Sequence, residues 1–184
     1  MEKQHGPWTI RATRERFRNE MMRVEEDEVT KPDGSAGTYA TVRMKDGVTV
    51  LAVADDGTAY FAKEFRYAYG RVTVEAVGGG IEEGEAAEEA ARRELREELG
   101  IEAAEMVELG SIQHITSLLD SSATLFLARG LRFTEKDGDT SERIETVKMP
   151  LVEAVGRALA GDFVHSTTCL LVLRAHHHLT ARRA

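Results

Sequence analysis

Gly79-Gly80-Ile81-Glu82-Glu83-Gly84-Glu85-Ala86-Ala87-Glu88-Glu89-Ala90-Ala91-Arg92-Arg93-Glu94-Leu95-Arg96-Glu97-Glu98-Leu99-Gly100-Ile101 is the most strongly patterned stretch of this 184-residue chain. Residues 84–99 are dense in Ala, Glu, Leu and Arg, the strongest helix formers, and Gly100 supplies a C-terminal stop, so the stretch predicts a helix. From Glu82 to Glu98 there are eight Glu against three Arg, a local charge of −5 out of −8 for the whole chain. Such a run is ordinarily a solvated helix face. The spacing asks for more: Glu94, Glu97 and Glu98 are related by i,i+3 and i,i+4, so their carboxylates leave one side of the helix and repel one another. The candidates to offset that repulsion are Arg93, four residues before Glu97, and divalent cations. Oxygen-only, carboxylate-rich clusters suit Mg²⁺ or Mn²⁺, which commonly bridge protein carboxylates to substrate phosphates. The glycine run Gly78-Gly79-Gly80 just before the helix reads as a loop that lets backbone approach such a site and offers a carbonyl as a further ligand.

Working outward, residues 38–65 read as three strands (TYATVRM, VTVLAVA, TAYFAKEF) broken at Lys45-Asp46-Gly47 and Asp55-Asp56-Gly57, both with the Asp-Gly signal of tight hairpins, which predicts an antiparallel meander. Another strand, Arg71 to Val77, runs into the glycines. After the helix come strands near 105–114 and 122–132, a polar loop, the strand RIETVKM, a helix from Pro150 stopped by Gly161, and a last amphipathic helix from Ser166. The segment Trp8–Thr30 is weakly patterned and predicts a strand or two. Strands interspersed with helices, not in strict alternation, indicate an α/β or α+β layer fold with a mixed β-sheet.

Composition bounds the function. Hydrophobic residues make up 42% and charged residues 30%, with 24 Lys+Arg against 32 Asp+Glu and a pI near 5.3. These values exclude both a disordered acidic tail and a basic nucleic-acid coat protein. Cys169 is the single cysteine, so no internal disulfide forms, and its apolar neighbours read as a core helix face. No apolar run approaches the length of a membrane span, and the N-terminus lacks a signal-peptide core. The expectation is a cytoplasmic protein with neither nucleic acid nor membrane as partner.

The segment 79–101 resembles the Nudix box, G-x5-E-x7-R-E-U-x-E-E-x-G-U with U aliphatic, at Gly79, Glu85, Arg93, Glu94, Leu95, Glu97, Glu98, Gly100 and Ile101. The resemblance implies the Nudix fold, a mixed β-sheet sandwiched between helices, and metal-dependent hydrolysis of a nucleoside diphosphate linked to another group. It implies Glu94 and Glu98 as principal metal ligands, Glu97 as a further ligand or one through water, and the Gly78 carbonyl as the backbone ligand. Arg93 would orient the carboxylates by pairing with Glu97 or Glu85. Looser patterns (EVTKPDGSAGTYATV, FAKEFRYAYGRVTVEAVGG, LFLARGL, ERIETVKMPLVEAV) resemble the ADP-ribose pyrophosphatase branch. That likeness implies a nucleoside diphosphate sugar as substrate, with Arg66 and Glu75 near it, Asp120 on the loop after the box, and Glu142 as general base with Glu145 in reserve. His114, beside the same loop, is a further candidate for substrate contact.

Three departures stand out: Glu75-Ala76-Val77-Gly78-Gly79 replaces the branch's Glu-Leu-Pro-Ala-Gly, Ile115-Thr116-Ser117-Leu118-Leu119-Asp120-Ser121-Ser122 replaces its proline-bearing loop after the box, and Ser121 stands where that loop has a Glu. They leave the diphosphate chemistry intact and bear on the choice of substrate, so a pyrophosphatase for another nucleoside diphosphate derivative, such as a dinucleoside polyphosphate, stands as an alternative. A non-catalytic nucleotide sensor is a second alternative, although a sensor has no need of the intact glutamate set. The resemblance also implies a dimerisation segment over 1–40, hence a homodimer, and a Nudix hydrolase domain over 41–184.

Overall fold

The computed structural model describes residues 2–136 and 143–181. In chain order the elements are β1 (Lys3–His5), β2 (Trp8–Arg18), β3 (Met22–Thr30), β4 (Ala36–Met44), β5 (Gly47–Val53), β6 (Thr58–Arg66), β7 (Arg71–Glu75), β8 (Val77–Gly80), α1 (Ala87–Leu99), β9 (Ile101–Gln113), β10 (Leu119–Asp120), β11 (Ser122–Phe133), β12 (Glu145–Pro150), α2 (Leu151–Ala160) and α3 (Ser166–Ala181). They form two compact units, one of residues 1–46 and 113–122, the other of residues 47–112 and 123–184. Among the described residues no helix is long and apolar enough to cross a membrane.

The first unit is a five-stranded sheet in the order β1-β2-β3-β4-β10. The weakly patterned N-terminal stretch is a long β2–β3 hairpin, closed where the Asn19 side chain accepts the N–H groups of Met21 and Met22. Strand β2 is mostly solvated and β3 half-buried, and cross-strand pairs join them: Arg14 with Glu28 at 2.5 Å, Arg16 with Glu26 at 2.6 Å. The next turn is set by Asp33, whose carboxylate accepts the Ser35 N–H at 2.9 Å, with Gly34 at φ 84°.

The expected meander over 38–65 holds only in its second half. β5 and β6 pair antiparallel, but β4 pairs with β3 and β10 in the first unit's sheet. Lys45-Asp46-Gly47 is therefore a passage between sheets and not a hairpin turn. Its polar groups are used there: the Asp46 carboxylate accepts from the Ser122 N–H at 2.7 Å, and the Lys45 carbonyl accepts from the Ser121 hydroxyl at 3.0 Å.

The second unit carries the expected mixed sheet. Its order is β12-β6-β5-β11-β9, with β7 paired to β6 and β8 to β5; β5 and β11 run parallel while β5–β6 and β6–β12 run antiparallel. Both faces are buried, which strand alternation explains. Leu51 and Val53 of β5 and Leu125 and Leu127 of β11 join Ala154, Leu171 and Val172 of α2 and α3 in one core. Val50 and Ala52 of β5 and Phe126 and Ala128 of β11 point the other way, onto Ala90, Ala91, Leu95 and Leu99 of α1. Helix α1 thus spends one stripe on the core, and the stripe with Glu94, Glu97 and Glu98 flanks it, half-buried. Gly100 ends the helix at φ 63°, its N–H donating to the Arg96 carbonyl. A side chain there would meet the Thr134 carbonyl at 2.5 Å, so both conformation and space require glycine.

Candidate active site

The glycines that precede α1 are not a free loop. They form β8, hydrogen-bonded along β5 in the register Thr49↔Gly78, Val48↔Gly79, Gly47↔Gly80. This holds the backbone of Gly78–Gly80 rigidly beside α1. Gly79 is the close approach: a Cβ there would lie 2.1 Å from Glu94 Oε1, so the Glu94 carboxylate occupies the space that any side chain would fill.

Arg93 ties the acidic cluster together. Its Nε and Nη2 donate to the two oxygens of Glu85 at 2.9 and 3.0 Å, Nη2 also to the Gly80 carbonyl at 3.0 Å, and Nη1 to Glu94 at 2.6 Å and Glu97 at 3.4 Å. Both pairings expected of Arg93, with Glu85 and with Glu97, are present. The hydrogen bond from Arg93, joined by one from the Glu82 N–H, pulls the Glu85 pKa down to about 2. That contribution to stability is complete above the ordinary Glu value and is lost as pH falls through about 2. Lys cannot span five contacts, because its single ammonium lacks the planar fork of guanidinium. Arg93→Lys is therefore expected to lower turnover about 10–100-fold, the usual effect of removing a group that orients metal-site carboxylates; steady-state kinetics with a thermal melt as folding control checks this.

Glu98 is the most perturbed acid. Its Oε2 is buried without a hydrogen-bond partner. Burial, with the neighbouring charges of Glu64 and Glu94, pushes its pKa up to about 8 against the opposing charge of Arg66 and a hydrogen bond from Gly78. Burial likewise raises Glu94, with Arg93 opposing. Two carboxylates held in a partly desolvated pocket with an unspent oxygen are the donor set a hard divalent cation fits, since the ion would supply the missing partner. Among the described residues no three His, Cys, Asp or Glu side chains already converge as a metal cage; Glu94 and Glu97 are turned onto Arg93.

Alternation along the β6–β7 hairpin places Glu64, Arg66 and Glu75 on one face. Arg66 donates from Nε at 3.1 Å and Nη2 at 2.7 Å to one oxygen of the buried Glu75, and Nη2 lies 2.7 Å from Glu64. Burial works to raise the Glu75 pKa, but the side chains of Arg66 and Thr73, with the charges of His165 and Arg66, outweigh it and leave the pKa below the ordinary value. Two members of this group were missed from the sequence. Glu64 was within reach, being two residues from Arg66 on a strand; His165, which approaches Glu75 from the start of α3, stands 90 residues away with no motif to announce it.

The other candidates are dispersed. His114 and Asp120 belong to the first unit, where the His114 N–H donates to the Ser121 carbonyl and Asp120 pairs with Arg43 at 3.0 Å. Asp120 also borders a cavity of about 400 Å³ in that unit, walled by Trp8 and Tyr39, whose rings meet edge to face at 5.8 Å. Ser121, the departure from the expected loop Glu, is buried and spends its hydroxyl on the Lys45 carbonyl. Glu145 lies on β12, exposed, with its carboxylate 2.8 Å from Lys63, which holds its pKa below the ordinary value. Glu142 lies outside the described residues.

A mixed sheet with helices on both faces is the fold that the Nudix box implied; the glycine strand beside the acidic helix is not. The chain matches the NUDIX domain over residues 43–165 and belongs to that family. Among its relatives are the ADP-ribose pyrophosphatase of Mycobacterium tuberculosis, 31% identical over 82% of this chain and 74% of that one, and the ADP-ribose pyrophosphatase of Bacillus subtilis, 32% identical over 70% and 71%. The methanol dehydrogenase activator of Bacillus methanolicus is 28% identical over 78% of each. A solved structure of an ADP compounds hydrolase superposes with a TM-score of 0.84 at 23% identity over 98% of each chain, which shows the shared fold.

Proposed function

We propose that this chain hydrolyses the diphosphate linkage of ADP-ribose or a related nucleoside diphosphate sugar, releasing a nucleoside monophosphate and a sugar phosphate. The observation that carries this reading is the buried, part-unpaired Glu98 carboxylate beside Glu94 on the acidic face of α1, against the glycine strand. The relatives named as ADP-ribose pyrophosphatases support the choice of substrate.

Glu94, Glu97, Glu98 and the Gly78 carbonyl would hold divalent ions, Mg²⁺ or Mn²⁺, whose chemistry is to neutralise the diphosphate and make water acidic enough to attack at neutral pH. Arg93 keeps the carboxylates aimed. Arg66, steadied by Glu75 and Glu64, presents its guanidinium to a substrate phosphate or the terminal sugar. Glu142 accepts the proton of the attacking water, with Glu145 as the reserve; Lys63 holds the Glu145 pKa below the ordinary value, which makes it the weaker acceptor. The leaving group is itself a phosphate ester and needs charge stabilisation more than protonation.

Incubating the protein with ADP-ribose and Mg²⁺ and identifying the products tests this: AMP and a ribose phosphate are expected. Turnover confined to dinucleoside polyphosphates would replace the substrate assignment, and none on any nucleotide would return the chain to the sensor reading. We also infer a cytoplasmic homodimer. Large apolar side chains stay exposed on the first unit, among them Phe17, Met21, Tyr39 and Met44, and a dimer would cover them. Light scattering at working concentration is expected to give twice the chain mass.

A further inference from the structure

The link between α2 and α3 brings a side chain to the Arg66–Glu75 pair that no motif predicts. His165, the residue before Ser166, has its Nδ1 3.4 Å from Glu75 Oε2, the same oxygen that receives Nε and Nη2 of Arg66. The same Nδ1 lies 2.9 Å from the Thr168 hydroxyl. Thr168 is fully buried, and its Oγ1 accepts the N–H of Ala76 at 2.9 Å.

Ala76 is the residue between β7 and β8. The first turn of α3 is therefore fastened to the β7–β8 junction at two successive residues, by the backbone at Ala76 and the side chain at Glu75. Because the Thr168 hydroxyl already accepts from Ala76, its position is fixed, and the imidazole is placed against it. With its proton on Nδ1, the ring sets one donor between the Thr168 hydroxyl at 2.9 Å and the Glu75 carboxylate at 3.4 Å.

The consequence falls on Arg66. A carboxylate turns freely about its last bond unless donors hold it, and an arginine that leans on a mobile carboxylate is itself mobile. Arg66 meets Glu75 through Nε and Nη2 and Glu64 through Nη2. Glu75 takes both Nε and Nη2 while Glu64 takes Nη2 alone, so a shift of the Glu75 carboxylate turns the guanidinium plane.

We propose that His165 is a positioning residue for substrate binding: through Glu75 it fixes the orientation of Arg66, with Thr168 as its anchor. The proposal rests on the reading of Arg66 as a substrate contact. It assigns to α3 a part in the site that lies outside the acidic helix and its glycine strand.

A double-mutant cycle on ADP-ribose hydrolysis tests it. His165→Ala is expected to raise KM about 5–20-fold with kcat within about twofold, the pattern of lost substrate binding as distinct from lost chemistry. His165→Asn, whose side-chain N–H stands in for Nδ1–H, is expected to recover most of the loss, whereas His165→Gln, which places its nitrogen where Nε2 lay, is not. In an Arg66→Ala background the further change to His165→Ala is expected to cost almost nothing. If His165→Ala raises KM equally with and without Arg66, or if Asn and Gln behave alike, the proposal is overturned while the reading of Arg66 stands. If Arg66→Ala leaves KM unchanged, that reading fails and takes the proposal with it. Thermal melts of each variant confirm folding.

Discussion

Glu98→Gln is expected to lower turnover about 10³-fold or more, the order set by the several kcal/mol of charge stabilisation that a bound divalent ion supplies, and at the same time to stabilise the metal-free protein. The second half follows from the direction of the pKa. Burial and the charges of Glu64 and Glu94 raise the folded-state value from 4.5 to about 8. A carboxyl raised in the fold contributes fully below its unfolded value, and that contribution is lost as pH climbs through about 8. The metal-free protein therefore loses stability between pH 4.5 and about pH 8 through this one group. Gln keeps the shape and cannot ionise, so the variant lacks that slope and is expected to melt about 3–8 °C higher at pH 8 in the presence of a chelator. Added Mg²⁺ or Mn²⁺ binds only the folded state and is expected to raise the melting temperature of the unaltered chain and not of the variant. Melts at pH 5, 7 and 8.5, with chelator and with metal, separate these effects. Parallel curves for the two proteins would mean that Glu98 neither carries the buried charge nor holds the ion.

Much of this site is legible in the sequence alone. The helix, its stop at Gly100 and the shared face of Glu94, Glu97 and Glu98 follow from residue preference and a period of 3.6, which act within a few residues. The mixed sheet followed from the order of elements, and the structure bears it out. What failed were pairings set by distant partners. Lys45-Asp46-Gly47 carries the residues of a hairpin, but β4 and β5 each find other neighbours, and no local signal says which strand will lie alongside. The glycines 78–80 read as a loop because glycine is rare in strands; they pair with β5 because backbone, not side chain, is what must lie beside Glu94. His165 was out of reach for the same reason as the false hairpin: its meaning depends on Glu75 and Thr168 meeting across the α3 and β7 packing, which spacing along the chain does not encode.

Gly79→Ala is expected to lower turnover about 10²-fold, the usual cost of displacing a positioned group by about an ångström, while leaving the melting temperature within about 2 °C, an order of a few tenths of a kcal/mol. The separation of activity from stability is what makes the variant informative. A methyl at Gly79 would stand 2.1 Å from Glu94 Oε1, 2.2 Å from its Cδ and 2.6 Å from Oε2, so the whole carboxylate has to leave its seat. The atoms that must yield are the end of a flexible side chain, which can swing aside at little cost. Gly79 is not among the glycines with positive φ, so alanine adds no backbone strain. The carboxylate that swings is nevertheless the one bonded to Arg93 Nη1 at 2.6 Å, and its departure disturbs the clamp on Glu97 as well. Gly78→Ala is the contrasting case. There the methyl meets the Val48 carbonyl at 2.8 Å, backbone fixed in the β5–β8 ladder, so the expected effect is a loss of about 1–3 kcal/mol of stability from overpacking. Measured side by side, the two alanines distinguish a glycine that makes room for chemistry from one that makes room for the fold. Full turnover by Gly79→Ala would show that the seat of Glu94 on the glycine strand is not needed for hydrolysis, and the placement of the metal ligands would have to be drawn again from Glu98, Glu97 and the Gly78 carbonyl.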